Sequence, residues 1–190
     1  MALNVTEVTI NVHKVTRNLH KMTKMKYSIW IIPPQPIFNE VAKVINDLSV
    51  EYKGPVFEPH MTVLGNIDRE LSDIRKAVET VAKDTEKLNL SLGPVSFSTT
   101  YFQSVLVRIN STAQLMQLNL YIKKLLNIEN NVFMPHMSLM YGNHDTKTRE
   151  KIAAKIKLQT TSFIADQIVI IPEKSEPEEW KPIVTIPFVG

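Results

Sequence analysis

The sequence has no cysteine. Disulfides, thiolate nucleophiles and thiolate metal sites are thereby excluded, which suits an intracellular, cytoplasmic protein. No apolar run approaches the roughly 20 residues of a membrane-spanning helix, so no membrane role is expected. Neither a glycine-rich phosphate loop nor a dinucleotide fingerprint is present. No low-complexity linker divides the chain beyond its first 25 residues, and 190 residues can bury the core of one domain. An excess of positive charge is also missing where it would count. The net charge is +3, but residues 1–26 hold Lys14, Arg17, Lys21, Lys24 and Lys26 against Glu7, a balance of +4, leaving −1 for the rest. A near-neutral body offers no extended basic track for long nucleic acid and suits a small ligand better.

What the chain does contain is one short phrase written twice. Pro59-His60-Met61-Thr62-Val63-Leu64-Gly65 and Pro135-His136-Met137-Ser138-Leu139-Met140-Tyr141-Gly142 share a proline, a histidine, a methionine and a hydroxyl residue at matching places. Each reads as a β-strand entered from a proline that cannot donate to the ladder. Side chains alternate along a strand, so His60 points with Thr62, and His136 with Ser138. Two imidazoles facing one cleft can serve as general base and general acid, and two hydroxyls can hold the oxygens of a phosphate. Either motif alone is weak, because His144-Asp145-Thr146 has the same form in a polar turn and receives no role. A metal centre is the rival use of the histidines. Catalytic zinc takes three protein ligands, and each motif supplies one histidine beside a hydroxyl, so neither metal nor cofactor is expected. Rate against pH should be bell-shaped, with limbs bracketing neutrality.

Hydrophobic periodicity interleaves strands and helices around these motifs. Lys26–Ile32 reads as a strand, and Ile37, Val41, Val44, Ile45 and Leu48 as the buried face of a helix. Leu71, Ile74, Val78 and Val81 mark a second helix. Leu88–Val95 and Phe97–Ile109 read as two strands joined near Gly93-Pro94. Ser111 and Gln114 form a capping box for a third helix with Leu115, Leu118, Ile122 and Leu125 inward. A helix over about 146–158 and strands at Phe163–Ile171 and Ile183–Phe188 complete the chain. Residues 1–25 form a basic extension whose Val5, Val8, Val12, Val15, Leu19 and Met22 fall on one helical face. It reads as a surface helix, or as upstream sequence before a start at Met25. Organelle targeting is a third reading, although serine and arginine are sparse in it. Residues 26–190 form the single domain.

The doubled His-x-Thr/Ser resembles the 2H phosphoesterases. The closer resemblance is to the plant and yeast type of cyclic nucleotide phosphodiesterase. It spans much of the chain after residue 26. It rests on Tyr27-Ser28-Ile29-Trp30, Gly54-Pro55-Val56-Phe57-Glu58-Pro59-His60, Tyr101-Phe102-Gln103, the second motif, and the acidic loop from Glu176 to Trp180. The resemblance implies an α+β, two-lobed fold with two mostly antiparallel sheets, flanking helices and a central cleft. It implies metal-independent hydrolysis of ADP-ribose 1″,2″-cyclic phosphate and nucleoside 2′,3′-cyclic phosphates, with His60 and His136 catalytic and Thr62 and Ser138 on the phosphate. Trp30 takes the family's tryptophan position, either as a platform for a base or as a core aromatic. Tyr141 also takes a matched position. Strict alternation turns it away from His136, so it reaches the cleft only if the strand ends near Met140. Tyr141 departs from the arginine that the bacterial and archaeal RNA-end branch tends to carry. Two alternatives stand beside the main reading: a phosphoesterase on RNA 2′,3′-cyclic ends or 2′-5′ linkages, and a nucleotide- or RNA-binding module without turnover. A monomer acting on a small cyclic phosphate, with RNA ends as the other substrate, is the expected form.

Overall fold

Apolar alternation and apolar stripes sort this chain into strands and helices, and the pairing of the strands then decides where the motifs meet. The computed structural model describes residues 25–129 and 132–190, so the stripe of the extension lies outside the described residues. Tyr27–Ile31 forms β1, Ile37–Tyr52 α1, Met61–Ile67 β2 and Leu71–Ala82 α2. Leu88–Phe97 forms β3, Val105–Ile109 β4, Ala113–Leu125 α3 and His136–Met140 β5. Thr146–Lys155 forms α4, Ser162–Ala165 β6, Gln167–Pro172 β7 and Val184–Pro187 β8, with a 3₁₀ turn at Pro177–Glu179. Among the described residues no helix is long and apolar enough to cross a membrane.

The named strands pair antiparallel in the order β6-β3-β4-β5-β2-β1-β7-β8. The two sheets expected from the sequence are the two four-stranded halves of this one array. They join at β5 and β2 through a single register pair, Met61 with Met137. So short a seam leaves the halves free to diverge, and a cleft opens over it. The array also curls. Only Asp166 separates β6, at one end of the order, from β7 near the other. Val189 past β8 donates its N–H to the Thr85 carbonyl just before β3, 3.0 Å away, so the ends approach each other. The single strand expected at Phe163–Ile171 is therefore two strands, because its halves pair with opposite halves of the array.

The helices cover the array with the faces their periodicity marks. Ile37, Val41, Ile45 and Leu48 of α1 are buried, as are Ile74, Val78 and Val81 of α2 and Leu115, Leu118 and Ile122 of α3. Full burial of such a side chain contributes about 1.5–3 kcal/mol. Three local expectations shift. The Gly93-Pro94 turn is no turn: β3 runs through it, with a register shift between Leu92 and Val95. There β3 changes partner from β6 to β4, and a proline that cannot donate fits such an irregularity. The cap of α3 is Thr112, whose side chain accepts from the Leu115 N–H, rather than Ser111. Leu125 is exposed and Leu126 takes the inward place as the helix ends.

Candidate active site

Met61 and Met137 face each other across the seam and are fully buried on the core side. Alternation then sends their neighbours to the other side. Continuing the antiparallel register puts His60 across from Ser138, and Thr62 across from His136. The four motif side chains thus share one face of two adjoining strands, and all line a cleft of about 660 Å³. Trp30 and Tyr141 line it too.

Each imidazole is anchored in the same way. His60 Nδ1 lies 2.6 Å from the Glu58 carbonyl, and His136 Nδ1 lies 2.7 Å from the Met134 carbonyl. A carbonyl only accepts, so Nδ1 carries the proton in both rings and Nε2 is left for the cleft. The surroundings differ. The indole of Trp30 lies flat on His60, with centroids 3.5 Å apart and planes within 8°. His60 is only 7% exposed. Burial pulls its pKa from 6.5 down to about 4, against the pull of the Glu58 carbonyl and with a smaller push from His136. His136 is less enclosed, and its strand partner is Arg108. Burial lowers its pKa as well, the Met134 carbonyl opposes this, and the charge of Arg108 adds to it. Both shifts run downward, so limbs bracketing neutrality are not what this site supports: the pair titrates on the acid side.

The hydroxyls are also unequal. Among the described residues none hydrogen-bonds the Thr62 hydroxyl. Ser138 donates to the Phe102 carbonyl at 2.7 Å. Tyr141 reaches the cleft because β5 ends at Met140 and the chain turns away through Gly142, whose φ is 151°. Its ring stacks on Phe57 with centroids 3.7 Å apart, and its hydroxyl neighbours Ser138. Burial raises its pKa, so the phenol stays protonated and able to donate. Of the two readings of Trp30, base platform and core aromatic, its burial agrees with the second. It is 3% exposed, with His60 on one face and the edge contact of Trp180, centroids 5.9 Å apart, beside it.

The sequence model of the cyclic phosphodiesterase-like proteins matches residues 25–187. The chain belongs to that family. It is a hydrolase of phosphoric diesters, of the kind that opens cyclic phosphates. The cyclic phosphodiesterase of Arabidopsis thaliana is 27% identical over 141 residues, 74% of this chain and 77% of the plant protein. Among solved structures, apo LigT of E. coli superposes with a TM-score of 0.62 at 14% identity, covering 87% of this chain and 98% of its own. A protein of Thermus thermophilus gives 0.64 at 12% identity, covering 86% and 98%. Identities this low speak for the fold alone.

Within this family fold, several residues of the site escape sequence reasoning. Phe102 acts on Ser138 through a main-chain carbonyl, which no side-chain pattern signals, and its ring stands 52% exposed at the rim. Arg149 is 4% exposed and donates to the carbonyls of Ser98, Thr100, Gly142 and His144. It thereby ties the loop carrying Phe102 to the turn after Tyr141. Asp145, by contrast, caps α4 by accepting the Thr148 N–H at 3.0 Å, a structural use of the third His-x-Thr.

Proposed function

We infer that this hydrolase opens small cyclic phosphates, namely nucleoside 2′,3′-cyclic phosphates and ADP-ribose 1″,2″-cyclic phosphate, without a metal. One observation carries the reading: two imidazoles, each locked through Nδ1 on a backbone carbonyl, leave their Nε2 atoms for one cleft. The bulk of the cleft suits a nucleotide, and LigT of E. coli has been solved with 3′-AMP, ATP and NADP+. Among the described residues no three histidine, cysteine or carboxylate side chains converge as ligands of one metal ion. The catalytic unit is residues 26–190, and the family match over residues 25–187 supports that division from the extension.

Hydrolysis then divides between the two rings. His60, neutral down to about pH 4, takes a proton from water through its Nε2 lone pair. The water oxygen bonds to phosphorus as the ring P–O bond breaks. His136, the more easily charged of the two, gives its Nε2 proton to the departing alkoxide. Thr62 donates to a non-bridging oxygen, where charge builds in the transition state. Ser138 must release the Phe102 carbonyl to do the same. The test is turnover of a 2′,3′-cyclic mononucleotide with and without chelator. Equal rates are expected, and a strict need for added zinc or manganese overturns the metal-independent scheme.

A further inference from the structure

Beyond the histidines, one wall of the cleft ends in a corner that phosphate chemistry does not need. Ser28 of β1, Gly65 and Asn66 of β2, and Glu173 just after β7 all line it. Ser28 donates its hydroxyl to Glu173 Oε1 at 2.6 Å. The Asn66 N–H donates to the same oxygen at 2.7 Å. Asn66 has a φ of 57°, where the β1–β2 register slips, and that left-handed turn aims its N–H at the carboxylate instead of along the ladder. A side chain at Gly65 would bring a Cβ within 3.2 Å of Ser28 Oγ and press on the tether. The carboxylate is therefore held through one oxygen. Among the described residues no hydrogen bond or ion pair takes Oε2. The neighbouring cations are turned elsewhere: Lys26 donates to Asn66 Oδ1 at 2.7 Å, and Lys174 lies 3.7 Å from Glu179.

A fixed carboxylate only accepts hydrogen bonds and repels phosphate. Ser28 and Trp30 lie on one face of β1, two residues and about 7 Å apart. The corner therefore stands about that far beyond the indole on which His60 rests. The histidines and this corner line the same cleft, so a nucleoside with its cyclic phosphate between the histidines can extend its base toward the corner. Trp180, whose Nε1–H donates to the Lys174 carbonyl at 2.8 Å, adds an apolar wall alongside. We propose that the Ser28–Glu173–Asn66 corner is a base-reading subsite in which Glu173 Oε2 accepts the amino group of a nucleobase and rejects a carbonyl edge. This rests on the hydrolase reading above and names the preferred substrates within it: cytidine and adenosine cyclic phosphates over those of uridine and inosine.

Cytidine and uridine make the clean comparison, because they differ in an amino group against a carbonyl at the same ring position. The kcat/KM for 2′,3′-cyclic CMP should exceed that for 2′,3′-cyclic UMP about tenfold or more, the size of a hydrogen bond to a charged group. Glu173→Gln keeps an oxygen for Ser28 and Asn66 but turns a donor into the cleft, so the ratio should fall to one or invert. Binding of 3′-CMP and 3′-UMP measured by calorimetry needs no turnover and should show the same order. Cytidine-selective binding without turnover supports the subsite while sinking the hydrolase reading. Turnover of both nucleotides at a ratio near one, or a ratio unchanged in Glu173→Gln, overturns the subsite and leaves hydrolysis standing. An equal loss for both nucleotides in Glu173→Gln assigns the carboxylate to a sugar hydroxyl or to the fold, and overturns it too.

Discussion

The two halves of the cleft carry the same motif in different surroundings. On one side His60 lies under the flat ring of Trp30, nearly sealed from water, beside a Thr62 hydroxyl that no described residue engages. On the other, His136 is more open and sits next to Arg108 in register, while Ser138 is tied to the Phe102 carbonyl and neighbours Tyr141. The backbone anchors are the same on both sides, so the rings have the same tautomer. What differs is burial, nearly complete at His60 and less so at His136, and the charge of Arg108 beside His136. A duplicated phrase thus supplies two like groups, and the elements packed around each copy give them unlike surroundings.

The sharpest way to break this comparison is to delete each ring in turn. His60→Ala and His136→Ala should each lower kcat/KM by ~10²–10⁴-fold, the span of a general acid–base group. Thermal melts should show both variants folded. Near-native turnover by a folded His136→Ala protein would end the paired mechanism.

The pH profile tests the unequal burial. The base must be neutral, so kcat/KM should fall as pH drops through about 4, the value for His60. The acid must be charged, so it should also fall as pH rises through the His136 value, which lies below 6.5. The optimum should lie on the acid side of neutrality, with apparent values that belong to the pair. Trp30→Leu uncovers His60 and should move the acid limb up toward 6.5. It should alter the profile more than the Michaelis constant, the reverse of what a lost base platform would do. Stability should follow the same group. Between about 4 and 6.5 the unfolded chain binds a proton that folded His60 refuses, so stability is fully present above 6.5 and is lost as pH falls through that window. At ~1.4 kcal/mol per pH unit the loss is about 3 kcal/mol, and urea melts at pH 7 and 4 measure it.

The hydroxyl variants sharpen the comparison at lower amplitude. Thr62→Ala should cost about tenfold in kcat with an unchanged melting temperature, because its hydroxyl has no described partner to lose. Ser138→Ala should cost less in rate and about 1 kcal/mol in stability, since it strands the Phe102 carbonyl. Equal effects on both quantities would erase the asymmetry.

Local pattern in the sequence marked most of the elements and put the side chains of each motif on a common face. Apolar spacing marks the buried faces of α1 and α2, and the strand period alone puts His60 with Thr62 and His136 with Ser138. These are near-neighbour properties, decided by the geometry of a few residues. Everything that ranks the two copies depends on residues distant in the chain. Trp30 lies on His60 because β1 pairs with β2, and Arg108 stands by His136 because β4 pairs with β5. Ser28 and Glu173 meet across 145 positions because β1 also pairs with β7. The strand at Phe163–Ile171 splits because its two ends join different halves of the array. Periodicity encodes which face of an element is buried but not which neighbour buries it. Burial by particular neighbours is what makes the surroundings of the two imidazoles differ, so only the tertiary structure could tell the two histidines apart.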